Sequence, residues 1–404
     1  MVKRKIKQIL MHLGCWTYKL TIPSKVKRIR GKDKISVLFI LNDVAKWKSE
    51  KLYLEMLQHP RFNPILGVTI RPGESDNTIL QKKAILKEYL QYKGYDYIDL
   101  STSNLRRPDI VIYSEPYGNS VPKDQSIYKY LSSLFLSINY SCHTTHLHID
   151  YYSLLHRWCW IDCYENQRAI EQAYKSIGHI RKSIQLTGLP MIDQLLEPPT
   201  ENPWKAQDYP KKRIIWAPHH SLGGFEGESI VYSTFLTYAE TMIELAKKYQ
   251  ENIQIAFKPH PLLFDKLIQV WGREATEEYY KKWEEMKNTQ LELGSYKDLF
   301  ATSDAMIHDS SSFIVEYLLM DKPTLFLVRD LDDIRNDLND FGDQAFLTQN
   351  LGYNIKDIET FITQVIKGKD INSYHRGEFL KKEIVGYPEG DASKKIIDTI
   401  LGIR

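Results

Sequence analysis

The sequence predicts an α/β protein made of two Rossmann-like halves facing each other across a cleft. Three observations carry this reading. Short apolar runs alternate with helix-length segments along most of the chain, the mark of parallel sheets covered by helices. The alternation breaks at the proline-rich stretch Glu197–Pro203, which suits neither a helix nor a central strand. A second α/β series of similar length then starts at Arg213. Open parallel sheets bind ligands beyond the carboxyl ends of their strands, so chemistry is expected in the loops that follow strands.

In the first half, Ile35–Leu41 is a continuous apolar strand closed by a polar Asn42-Asp43 turn. Ser49–Leu57 reads as a helix and Pro64–Ile70 as the second strand. Asn77–Tyr92 repeats Ile79, Leu80, Ile85, Leu86 and Leu90 at near-helical spacing. Tyr97–Leu100, Asp109–Tyr113 and Leu134–Tyr140 are short strands, Glu165–Ser176 a helix and Ile184–Thr187 a strand. In the second half, strands Arg213–Ala217 and Ile253–Lys258 flank a helix over Ser233–Tyr249. A charged helix over Ala275–Lys287 follows. Strand Ala305–Ile307 then leads through the hydroxyl-rich turn Asp309–Ser312 into a helix over Phe313–Met320. Lys322-Pro323 stops that helix, and Thr324–Val328 is the next strand. A helix start of this kind presents unpaired N–H groups and hydroxyls to a phosphate, although a serine there also serves as a plain cap.

Size and composition agree with a two-domain globular protein. The chain has 404 residues, 43% hydrophobic and 26% charged, enough for two cores and too apolar for disorder. The expected division is a basic arm at 1–32 and Rossmann-like domains at 33–200 and 201–404. The four cysteines form no CxxC pair, which fits reduced thiols in the cytosol. Neither Cys159-x3-Cys163 with His156 nor the His143, His146, His148 spacing completes a ligand set, so no metal is assigned. No apolar run is long enough to span a bilayer, and no signal peptide is read. The net charge of +3 conceals ten basic and no acidic residues before Asp33. Interleaved with Ile, Leu, Trp16 and Tyr18, they suit a helix lying on an anionic membrane surface. A solvated arm and a nucleic-acid contact are the other readings of such a run, and nucleic acid is not expected as a partner. No dinucleotide or P-loop glycine motif is present, which excludes dehydrogenases and P-loop NTPases.

Four short motifs occur in a definite order: Gly188-Leu-Pro-x-x-Asp193, Trp216-Ala-Pro218, Lys258-Pro-His-Pro261, and Ser303-Asp-x4-Asp-x-Ser-Ser312 with Lys322-Pro323. Their order resembles the CDP-glycerol glycerophosphotransferase family, teichoic-acid primases and polymerases of GT-B fold. Asn42-x3-Lys46-Trp47-Lys48 and His59-Pro-Arg-Phe-x-Pro64 are similar to capsule-locus relatives of that family. The resemblance implies transfer of a polyol phosphate from a CDP donor to an acceptor hydroxyl, with release of CMP and no cofactor. It implies a polyol or glycan acceptor, lipid-linked, at the inner face of the cell membrane. His260 then lies at the donor phosphates with Lys258 adding charge. Ser311 and Ser312 hold the pyrophosphate, Asp309 forms the turn, and Glu316 accepts from the ribose hydroxyls.

The family's Trp-His-Gly base motif is absent, and its place is taken by Ser137–His148, with His143 the first choice of base and His146 and His148 the alternates. Where the family often has Thr-Trp-Arg after Trp216-Ala-Pro218, this chain has His219, His220 and Ser221. His219 and Ser221 are therefore expected to line the donor site. Two other functions fit the same fold: a GT-B glycosyltransferase using a nucleotide sugar, or a non-catalytic membrane-associated assembly protein.

Overall fold

A computed structural model describes residues 2–403, apart from 74, 104, 106, 116–119, 226–227 and 229–230; for 2–12 and 77 only the backbone is described. The chain divides into two compact units.

The first unit comprises residues 1–143, 147–194 and 384–404. Its seven strands are β1 (Ile35–Leu41), β2 (Phe62–Val68), β3 (Tyr97–Asp99), β4 (Ile110–Tyr113), β5 (Leu134–Ile138), β6 (Ile161–Tyr164) and β7 (Ile184–Leu186). They lie in the order β3-β2-β1-β4-β5-β6-β7, all parallel. The central strands β1, β4 and β5 are mostly buried apolar runs, as a sheet covered on both faces requires.

The basic N-terminal arm is a helix, Val2–Arg30, and its described part is docked. Cys15, Tyr18, Lys25 and Ile29 are buried at helical spacing. Tyr18 stacks on Phe135 at 5.2 Å and donates its hydroxyl to the Ser133 carbonyl at 3.0 Å. Leu13, Trp16 and Leu20 stay exposed on the same helix.

The second unit comprises residues 144–146 and 195–383. Its strands are β8 (Lys212–Ala217), β9 (Ile253–Phe257), β10 (Thr289–Leu291), β11 (Ala305–His308), β12 (Thr324–Leu327) and β13 (Asn350–Gly352). They form a parallel sheet in the order β10-β9-β8-β11-β12-β13. Trp216 is central to this core, against Phe257 at 4.9 Å, Trp283 at 5.3 Å and Phe235 at 5.5 Å. In both sheets the strand order reverses beside the first strand, at β1/β4 and at β8/β11. That reversal is where the loops of a doubly wound sheet diverge and leave a crevice.

The division differs from the sequence expectation at its ends. Residues 384–404 belong to the first unit. The reason is local: Asp193 accepts the Ala392 and Ser393 N–H groups at 2.9 and 2.7 Å, tying down the start of helix Ala392–Leu401. Gly188 has φ +77, and a Cβ there would meet Ala392 Cβ at 2.8 Å. The Gly188-x4-Asp193 motif is thus a docking site for the last helix. The expected helix Phe313–Met320 is four α-helical residues, Phe313–Glu316, followed by a 3-10 turn at Leu318–Met320. Helix Leu263–Trp271 was not anticipated.

Candidate active site

In the second unit the loops after β8, β9 and β11 bring their side chains together on the carboxyl edge. His219 and His220 leave β8, and His260 follows β9. Ring centroids lie 4.3 Å apart for His219–His220, 4.2 Å for His220–His260 and 5.3 Å for His219–His260. One ring nitrogen from each lies within 4.8 Å of the others.

Hydrogen bonds determine what this trio is fit for. His260 Nδ1 accepts the Leu262 N–H at 3.1 Å. His219 Nδ1 accepts the Ser221 N–H at 3.3 Å and faces the Ser221 hydroxyl at 2.7 Å. That hydroxyl already accepts the Tyr232 N–H at 2.8 Å, so its own proton points to His219. His220 Nδ1 faces the Lys266 ammonium at 3.1 Å. Each Nδ1 is therefore an acceptor, and each neutral ring carries its proton on Nε2. Burial holds all three basicities down: His219 far below the usual range, His220 to about 4 and His260 to about 3. Three neutral N–H donors suit phosphate oxygens. A metal ion would have to displace the donor on each Nδ1 or the proton on each Nε2.

The other donor-site candidates fall into two groups. Ser311 is half-buried beside the Tyr232 hydroxyl, and Tyr232 meets His219 edge-on at 5.8 Å. Ser312 is exposed and makes no side-chain cap. Both serines thus remain accessible on the same edge. The rest are committed elsewhere. Asp309 is buried and accepts from the His219 N–H at 2.5 Å and from Thr234 N–H and hydroxyl at 2.6 and 2.8 Å. Burial pushes its carboxyl up to about 6. It positions the His219 loop, as Ser221 does. Lys258 is buried, with its ammonium bonded to the Gly294 carbonyl at 2.8 Å and burial lowering it to about 8. Glu316 is buried and holds the Tyr296 hydroxyl.

Sequence reasoning missed His220 and Lys266. Lys266 is paired with Glu228 and lies 5.0 Å above the Phe225 ring, the cation nearest the trio among the described residues. Its signal was available: helix Leu263–Trp271 starts directly after the Pro259-His260-Pro261 turn, so its first turn faces the same edge.

In the first unit His143 follows β5 and Glu165 follows β6, neighbouring strands on the carboxyl edge. His143 Nδ1 lies 2.8 Å from Glu165 Oε2, and its backbone N–H donates to Oε1 at 2.5 Å. Nε2 faces Asn139 Nδ2 at 3.4 Å. The ring is 3% exposed and stacks on Tyr164 at 4.6 Å. Burial, the largest effect, lowers its basicity, but the charge and hydrogen bond of Glu165, with Asp150 and Asp162, outweigh it and the net direction is up. A buried histidine held in one tautomer by a carboxylate is the arrangement of a general base. His146 and His148 are exposed, with His148 bonded to Ser176 at 2.8 Å. Glu165 was read only as a helix start. Nearby, Glu115 gathers Asn42 and Lys46, each at 2.7 Å, and Arg71 at 3.2 Å, which ties the Asn42-x3-Lys46 motif to the β1/β4 switch.

Two Rossmann-like units with chemistry-bearing loops on their carboxyl edges define an α/β protein of GT-B fold. The chain matches the family model described as CDP-glycerol:poly(glycerophosphate) glycerophosphotransferase over residues 161–402, well over half its length, and belongs to that family. No curated protein matches it. Among solved structures it is similar to a variant of the wall teichoic acid polymerase TagF soaked with CDPG. The identity is 16%, covering 99% of this chain and 96% of that one, with a TM-score of 0.56. It is also similar to a UDP-N-acetylglucosamine 2-epimerase from Neisseria meningitidis bound to UDP-GlcNAc. There the identity is 17%, over 91% of this chain and 100% of that one, with a TM-score of 0.54. Likeness at these identities speaks for the fold.

Proposed function

We propose that the second unit binds CDP-glycerol through the His219–His220–His260 trio and the Ser311–Ser312 turn. His143 of the first unit takes the proton of the acceptor hydroxyl. The acceptor oxygen bonds to the β-phosphorus as the bridging P–O bond breaks, and that electron pair leaves on CMP. With Nδ1–H held by Glu165, the proton is taken at Nε2. The trio and serine hydroxyls offset the charge that collects on the pyrophosphate oxygens. Lys266 adds the one cation nearest the trio among the described residues. The product is a growing glycerophosphate polymer of the cell surface, of the wall teichoic acid or capsule type.

Among the described residues no helix is long and apolar enough to cross a membrane. The exposed stripe Leu13, Trp16, Leu20 on a basic helix supports contact with the inner membrane surface, where a lipid-linked acceptor would be found. The observation that carries the donor-site reading is the trio's shared tautomer, three N–H donors on clustered rings beside a serine turn. The test is CMP release from CDP-glycerol with a glycerophosphate acceptor. Turnover is expected for the native chain and its loss for His260→Ala and His143→Asn. Undiminished turnover in both variants would remove the assignment.

A further inference from the structure

The first unit holds a cavity of about 630 Å³ between the N-terminal helix and the segments leading into β6 and β7. Ile161 opens β6 and Ser183 precedes β7, so the cavity is on the amino edge of the sheet, opposite His143 and Glu165. Lys19, Arg30, Arg181 and Lys182 line it together with His179, and no carboxylate is among its described lining residues.

Arg181 is the pointed observation. It is 6% exposed, and its Nη2 bonds Asp162 at 2.7 Å. Its Nε and Nη1 are buried with no hydrogen-bond acceptor. A buried guanidinium with two nitrogens that lack an acceptor is costly, and a small turn of the side chain toward the cavity would let a ligand supply one. A guanidinium N–H is a charge-assisted donor of the kind that phosphate oxygens accept. Arg30 is fixed at the wall by the Ile400 and Thr399 carbonyls at 3.2 and 3.3 Å. The surroundings are apolar: Ile22 and Trp160 line the cavity, Ile180 is 76% exposed, and Leu20 adjoins Lys19 on the helix. A free phosphate would use the cations and leave that rim idle, whereas an anionic amphiphile would use both.

We propose that this cavity is a phosphate site for the headgroup of an anionic phospholipid, seating the first unit on a bilayer. The proposal deepens the membrane-surface reading of the N-terminal helix and rests on it for the source of the ligand. It is independent of the donor site in the second unit.

The experiment is sedimentation of the full chain with phosphatidylcholine vesicles made with and without phosphatidylglycerol. Lys19→Gln, Lys182→Gln and Arg181→Gln are compared with Lys27→Gln, a cation of the same helix outside the cavity. Lys19 and Lys182 are exposed, so their variants keep the test alive if Arg181→Gln does not fold. Each cavity variant is expected to weaken binding to the anionic vesicles about fivefold, with Lys27→Gln losing less. A parallel thermal-shift titration uses inorganic phosphate alone. Protection by phosphate that depends on Arg181, without a vesicle effect, would keep the anion site and assign it a soluble ligand. Equal losses in Lys27→Gln and the cavity variants, or no effect in either arm, overturn the proposal. CDP-glycerol binding measured without vesicles reports on the phosphotransfer reading separately.

Discussion

Replacing Glu165 with glutamine is the sharpest test of the base. The substitution keeps shape and volume at a site where the carboxylate has no exposure. It removes the charge that faces His143 Nδ1 at 2.8 Å. Two opposite charges about 4 Å apart attract by about 4 kcal/mol at the effective dielectric that suits buried protein sites. Losing that attraction for a developing imidazolium is worth about 10³ in rate, within the roughly 10²–10⁴ that general-base catalysis supplies. Glutamine can also donate its amide N–H to Nδ1, which would move the ring proton to Nε2 and block the base outright. The assay is kcat/KM for CMP release against pH. The native enzyme should gain activity as pH rises through an inflection above 6.5, since Glu165 raises His143. The variant should lose about 10³ in rate, and any residual inflection should fall to lower pH. Native-like activity with an unmoved inflection would refute the base assignment.

Further outcomes follow from the same geometry. His260→Ala removes one N–H donor and should weaken CDP-glycerol binding about tenfold by calorimetry, the worth of one hydrogen bond near 1.4 kcal/mol. Asp309→Asn leaves the Thr234 N–H facing an amide donor and should destabilise the chain by about 1–3 kcal/mol in urea. Gly188→Ala forces a side chain into φ +77 and against Ala392, so a loss of about 2–4 kcal/mol is expected in the same assay. The two histidine sites give opposite pH signs. The trio's folded basicities lie below 6.5, so the unfolded state binds protons first and stability falls as pH drops from 6.5 toward about 4 and about 3 for His220 and His260. His143 is raised, so its contribution is full below 6.5 and lost as pH rises through its folded value. Thermal melts of His260→Asn and His143→Asn across pH should show the acid and alkaline slopes shrink respectively.

What was legible in the sequence was what depends on local pattern. The buried strands Ile35–Leu41 and Arg213–Ala217 announce themselves because a strand covered on both faces is uniformly apolar. The Pro259-His260-Pro261 turn was legible because two prolines fix the backbone around one histidine. What stayed hidden depends on where strands lie side by side. Glu165 is 22 residues from His143 along the chain, and only the β5/β6 pairing makes them partners. Asp309 looked like a turn residue because it precedes a serine run. Its role was decided by β8 lying next to β11, which brings the His219 N–H to its carboxylate. Lys258 was expected at the donor phosphates from the family resemblance, but its ammonium is bonded to the Glu292 and Gly294 carbonyls of the loop after β10.

A histidine trio offers a phosphate something different from an arginine. An arginine brings its charge wherever it is placed, since its guanidinium stays protonated inside proteins. A buried histidine is neutral, and its usefulness as a donor depends on which nitrogen holds the proton. This chain fixes that choice three times over, with the Leu262 N–H, the Ser221 N–H and hydroxyl, and the Lys266 ammonium each supplying a proton to an Nδ1. Ser221 therefore acts on the site through His219, because replacing it with alanine removes the shorter of the two donors that hold His219 Nδ1 as an acceptor and leaves only the backbone N–H. Ser221→Ala should then weaken CDP-glycerol binding while Ser221→Thr, which keeps the hydroxyl, retains it. Equal binding by the alanine and threonine variants would show that the tautomer of His219 is set by something other than this hydroxyl.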